Sequence, residues 1–76
     1  MTLSNEIKTK LIMRIQEEIA DHDFYEIFAN EFDNPCKQVL EDIAKEEKNH
    51  AWHLHNILYR HNVEIPNDLE NKLKNM

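Results

Sequence analysis

Apolar residues recur along the first part of the chain with the spacing of an α-helix. From about residue 5 to about residue 31 they fall at Ile7, Leu11 and Ile15, then at Tyr25, Ala29 and Phe32. At about 100° per residue these positions make one stripe. Ile12 and Ile19 widen it, and Phe24, Ile27 and Phe28 lie on the other side. The later part of this helix is thus apolar over much of its circumference and is expected to pack on more than one neighbour. Two polar residues interrupt the stripe: Glu18 near its middle and His22 one turn on. Thr2, Ser4 and Asn5 are candidate N-caps, and Glu6 suits the positive end of the helix dipole.

Asp33-Asn34-Pro35 ends this pattern. Asp33 or Asn34 suits an N-cap, and Pro35 suits a first helical position. A second helix is expected from about residue 35 to about residue 61, with its stripe at Cys36, Val39, Leu40, Ile43, Ala44, Ala51, Leu54, Ile57 and Leu58. Glu47 and His50 lie inside that stripe, one turn apart on one face. The short connection predicts an antiparallel return, which sets Glu18 and Glu47 at similar depth. Asn62-Val63-Glu64-Ile65 reads as extended or turning, because Ile65 precedes Pro66. Pro66-Asn67-Asp68 then opens a short helix through Leu69 and Leu73. The expectation is an all-α fold: a helical hairpin over residues 1–61 and a tail over 62–76, the tail fraying or docking on a neighbour.

Composition sharpens this picture. The chain has 76 residues, no glycine, a single cysteine and a formal charge of −6. One small domain is the limit at that length, and domains this small usually need a staple, a metal or a partner. With Cys36 alone, an internal disulfide is excluded. The single cysteine and the lack of a secretory signal or membrane-length apolar run lead to an expected cytoplasmic location. The negative charge argues against nucleic acid and anionic membranes as partners.

The buried polar level carries the chemistry. A carboxylate within an apolar stripe is costly unless it is paired, with Arg14 or Lys45 for example, or bound to metal. A lone hairpin cannot cover its own stripe, whereas two copies about a two-fold axis close a four-helix bundle. The centre would then hold Glu18, Glu47 and His50 twice over, and two divalent ions would neutralise the four carboxylates. Carboxylate oxygens with imidazole nitrogen suit iron or manganese, with zinc as an alternative. Tyr25, two turns after Glu18, is placed to hydrogen-bond a ligand carboxylate or a bound oxidant. His22 is open between an extra ligand, a donor to a ligand and a packing residue.

Glu17-Glu18, Phe24-Tyr25-Glu26, Ala29, Asp33-x-Pro35, Leu40-Glu41, Ile43-Ala44, Glu46-Glu47 and His50 together resemble the rubrerythrin branch of the ferritin-like superfamily. The resemblance covers roughly residues 11 to 60. Family members usually carry two such helix pairs, so the chain looks like a half-length version, similar to encapsulated ferritins that build a di-iron site between two chains. The resemblance implies oxidation of iron by dioxygen or peroxide at two irons per dimer. It implies Glu18, Glu47 and His50 as ligands and Tyr25 as their supporting partner. Asp21 stands three residues after Glu18, where some rubrerythrins place a further carboxylate. The paired Cys-x-x-Cys motifs of a rubredoxin-like centre are absent from this sequence, so a peroxidase role implies an external electron donor.

Two other readings compete: a non-enzymatic oligomerisation or partner-binding hairpin with a buried polar layer, and a metal store without redox turnover. Elsewhere, His53 is expected in solvent, His55 at the stripe's edge and His61 in the last turn, where its charge suits the dipole. Trp52 and Tyr59 are expected to form a docking surface for the tail or another subunit. Cys36 is expected as a small buried filler.

Overall fold

Residues 3–76 are described by the structure, a computed structural model. The Ser4 side chain accepts a hydrogen bond from the Ile7 amide at 3.2 Å, which satisfies one of the free N–H groups of a helix start. Helix α1 follows over Asn5–Ala29. Of the other cap candidates, Asn5 is the first helical residue and Thr2 lies outside the described residues. The helix closes about two residues earlier than its apolar pattern predicts. The amides of Asn30, Glu31 and Phe32 each bond the carbonyl three residues back, and this tightening winds the chain off the helical path.

Helix α2 spans Cys36–Arg60, one residue inside the expected span at each end. Its start uses backbone rather than side chains: the carbonyls of Asp33 and Pro35 accept from the amides of Lys37 and Val39. Pro35 is therefore the cap and not the first helical residue. The far end of α2 is a Schellman motif. Asn62 takes the left-handed conformation at φ 57°, the Asn62 amide bonds the Tyr59 carbonyl, and the Val63 amide bonds the Leu58 carbonyl. Val63 packs on the core cluster that contains Leu58, the apolar contact typical of this motif.

That turn sends the chain back along the hairpin into helix α3, Asn67–Lys74. The sequence predicts a tail that frays or docks on a neighbour, with Trp52 and Tyr59 as a surface for it or for another subunit. The tail docks on its own hairpin: Leu69 and Leu73 join Ile15, Ile19, Ala51 and Leu58 in one buried cluster, with Trp52 packed beside it, while Tyr59 stays exposed. Each such leucine contributes about 2 kcal/mol of burial, which is enough to hold an eight-residue helix that would not be stable alone.

The architecture is thus an all-helical hairpin with one groove filled by α3. The other face is bare. Val39 and Ile57, placed in the stripe by their spacing, stand 56% and 40% exposed. Ile7, Phe32 and Cys36 are exposed too, so Cys36 is not a buried filler. The physical reason is that two helices contribute half of a bundle core and leave the remainder of each stripe facing outward. Phe24 and Ile27 are also exposed, so the aromatic part of α1 does not find several neighbours within one chain. Among the described residues no helix is long and apolar enough to cross a membrane.

Candidate metal centre

The antiparallel pairing of α1 and α2 brings Glu18, Glu47 and His50 together, each offering a ligand atom within 4.8 Å of the others. Glu18 sits within the α1–α2 interface and is only 2% exposed. Glu47 is half-buried one turn before His50, whose ring lies at the open rim. His50 Nδ1 stands 3.4 Å from Glu18 Oε2 and 3.9 Å from Glu47 Oε1.

The two oxygens of Glu18 have different surroundings. Oε1 is held by Arg14 Nη2 at 2.6 Å, while Arg14 Nη1 donates to Glu17 at 2.8 Å. With Glu47 ionised, Glu18 Oε2 is buried and has no hydrogen-bond partner. An orphaned carboxylate oxygen carries a large desolvation cost. It lies beside a second carboxylate and an imidazole, the donor set that a divalent cation would complete.

The same crowding acts on Glu47. Its carboxyl is pushed up to about 7, chiefly by a hydrogen bond with Glu18, then by burial and by the Glu18 charge, while His50 opposes the shift. Without a metal, the proton held on Glu47 takes the place of a cation near neutral pH. Asp21 adds a smaller push in the same direction, so it lies within electrostatic reach of Glu47 although it is exposed on α1. Tyr25 is half-buried, and its ring meets Phe24 edge-on at 5.3 Å.

His22 is placed elsewhere. Its ring is buried, with Nδ1 at 2.9 Å from Asp23 Oδ1 and Nε2 at 3.3 Å from Glu26 Oε2. These three form their own group of potential ligands. The apolar stripe assigns Asp23 and Glu26 no role; the signal for them is the His-x-x-x-Glu spacing, one turn apart on a helix. The stripe places His55 only at its edge, whereas that ring is buried between Trp52 and Tyr59 and faces Glu70 of α3 at 3.8 Å. His53 is exposed, as its position off the stripe requires.

A family model described as Rubrerythrin matches residues 10–75. No curated protein and no solved structure matches the chain.

Proposed function

The chain belongs to the rubrerythrin family, and on that premise we propose that it is a ferritin-like oxidoreductase, a ferroxidase whose di-iron site is completed by two copies of the hairpin. The observation that carries this reading is the convergence of Glu18, Glu47 and His50 on one level with Glu18 Oε2 buried and unpartnered. In the proposed homodimer the bare faces around Val39 and Ile57 cover each other, and each chain contributes two carboxylates and one imidazole. Bound iron supplies the electrons, one from each of two Fe²⁺ ions, that reduce dioxygen or peroxide.

The chain's own groups set the conditions for that chemistry. Arg14 holds Glu18 Oε1 and leaves Oε2 directed at His50 and Glu47. Glu47 gives up its proton as the cation enters, so binding releases a proton near neutral pH. His50, at the rim, supplies the nitrogen ligand. Tyr25 lies on the Glu18 side of α1 and offers a phenol to a ligand carboxylate in the assembled site, and Asp21 adds negative charge that attracts cations toward it. The proposed location is the cytoplasm, where a single exposed thiol stays reduced.

The test is anaerobic Fe²⁺ titration of the metal-free protein, followed by admission of air in an oxygen electrode. The expected result is one iron per chain and oxygen uptake proportional to the bound iron. Absence of saturable binding in the wild type, or unchanged binding in Glu47→Ala, overturns the reading. A second reading is favoured by Arg14: its pairing with Glu18, together with the proton on Glu47, already neutralises part of the buried level. In that reading the level fixes helix register in a non-enzymatic module, and Fe²⁺ or Mn²⁺ leaves the melting temperature unchanged. Saturable iron binding without oxygen uptake identifies a metal store instead.

A further inference from the structure

His55 lies where α3 meets α2. Its ring is 7% exposed, with Trp52 edge-on at 5.0 Å and Tyr59 stacked at 6.4 Å. The docked tail brings one charge toward it: Glu70 Oε1 stands 3.8 Å from His55 Nε2. Lys74, one turn further along α3, reaches the same oxygen at 3.9 Å. On its own helix the ring meets Asn56 Oδ1 at 3.3 Å through Nδ1. Among the described residues, no ion pair or hydrogen bond joins this ring to α1.

The two ring nitrogens are unequally served. Nε2 is buried and has no hydrogen-bond partner, because its separation from Glu70 exceeds hydrogen-bond reach. A neutral imidazole carries one N–H and one lone pair. With Nδ1 donating to Asn56, the lone pair of Nε2 faces a carboxylate, and a buried acceptor without a donor is costly. The other neutral tautomer gives Nε2 the proton but leaves Nδ1 without a donor, unless the exposed Asn56 turns its amide. A second proton serves both nitrogens at once. Nδ1 still donates to Asn56, and Nε2 becomes a cationic donor aimed at Glu70. A small closing of α3 onto α2 then completes a charge-assisted hydrogen bond.

We propose that His55 and Glu70 form a proton-operated latch for the tail. Protonated His55 holds α3 on the hairpin, and loss of the proton loosens it. Leu69 and Leu73 supply the apolar part of the docking and do not respond to pH, so the latch modulates a contact that they maintain. Loosening uncovers Ile15, Ile19, Ala51 and Leu58, the hairpin residues that cluster with the two leucines. The latch stands on residues outside the Glu18 centre and does not depend on the di-iron reading.

The experiment is hydrogen exchange of the full metal-free chain at pH 5.5 and pH 8, across the range in which imidazole changes charge. Rates are corrected for the intrinsic pH dependence of amide exchange. Opening of α3 relative to the α1–α2 pairing is expected to rise by about fivefold at the higher pH, the size of an ion pair at the upper end for partly exposed groups. Glu70→Gln keeps the length of the side chain and removes its charge, at a position that is 37% exposed. It is expected to abolish the rise, leaving the tail equally open at both pH values. Comparing the two proteins at each pH cancels the titration of Glu47 and of the other histidines, and Lys74 stays charged throughout. The proposal is overturned if opening of α3 does not rise with pH in the wild type, or if Glu70→Gln shows the same rise.

Discussion

Arg14 Nη2 stands 2.6 Å from Glu18 Oε1, whereas the other oxygen of that carboxylate, 3.4 Å from His50 Nδ1, is buried without a hydrogen-bond donor while Glu47 is ionised. One residue therefore both neutralises the buried charge and leaves half of its coordinating capacity free. Arg14→Gln removes the cation and leaves a shorter, neutral donor. In the metal-free protein Glu18 then sits buried without a counter-charge, and the melting temperature is expected to fall by a few degrees. Added Mn²⁺ is expected to raise it by more than it raises the wild type, because the ion restores the missing charge. Differential scanning calorimetry of both proteins with and without Mn²⁺ reads the difference.

The proton on Glu47 predicts a pH dependence. Its folded pKa is raised to about 7 from an ordinary 4.5, so the folded chain binds this proton more tightly than the unfolded one. The resulting stability is fully present below about pH 4.5 and is lost as pH rises through about 7. The metal-free protein is expected to melt at lower temperature at pH 8 than at pH 5.5, as far as this group governs it, and Glu47→Gln is expected to flatten that slope. Metal binding runs the opposite way. Affinity rises with pH up to about 7, by at most about tenfold per unit for one released proton, and a pH-stat detects the proton directly.

Leu73 ties the tail to the hairpin at 1% exposure. Leu73→Ala is expected to cost about 2–4 kcal/mol. Hydrogen exchange is expected to accelerate first over Asn67–Lys74 and at Val63, with the α1–α2 pairing around Glu18 and Ala44 still protected.

Asn62 is the left-handed residue that closes α2. Asn62→Ala places a Cβ against that conformation and is expected to lower stability by about 1 kcal/mol. Asn62→Gly is expected to be neutral or mildly stabilising. Urea unfolding of the pair checks the sign, and a loss in both would show that the asparagine side chain, not the backbone angle, matters.

Ile57 lies on the bare face. Ile57→Glu is expected to leave the helical circular dichroism spectrum intact while sedimentation shows a shift to monomer. Iron binding is expected to weaken with it, since the proposed site needs both copies.

The two long helices were legible because each repeats its apolar spacing for several turns, and twenty-five residues of consistent pattern outweigh local ambiguity. Their ends were less so. Pro35 reads as a first helical residue by preference, but the turn before it supplies carbonyls and makes it the cap. Glu18, Glu47 and His50 were legible for the same reason as the helices: polar residues inside an apolar stripe must converge on something. The docking of the tail was legible only in part: Trp52 stood out as a surface for it and does pack there, but Leu69 and Leu73 specify an apolar face and not the whole surface that receives it. The burial of His55 depends on that docking and was out of reach. His22 was visible as an inward residue, but its distance from Glu18 depends on which way the ring turns, and only the folded positions of Asp23 and Glu26 decide that.

The placement of α3 has a consequence for how copies of the chain meet. An amphipathic hairpin has two long grooves, and with both bare, each copy could accept another on either side, so association would continue without a natural end. Here Leu69 and Leu73 fill one groove from within the chain. In the proposed homodimer only one groove is then left to satisfy from outside, and a surface that can be satisfied once would give closed pairs rather than growing chains. The tail, which supplies none of the Glu18, Glu47 and His50 donors, would in this way set the count of copies in that assembly.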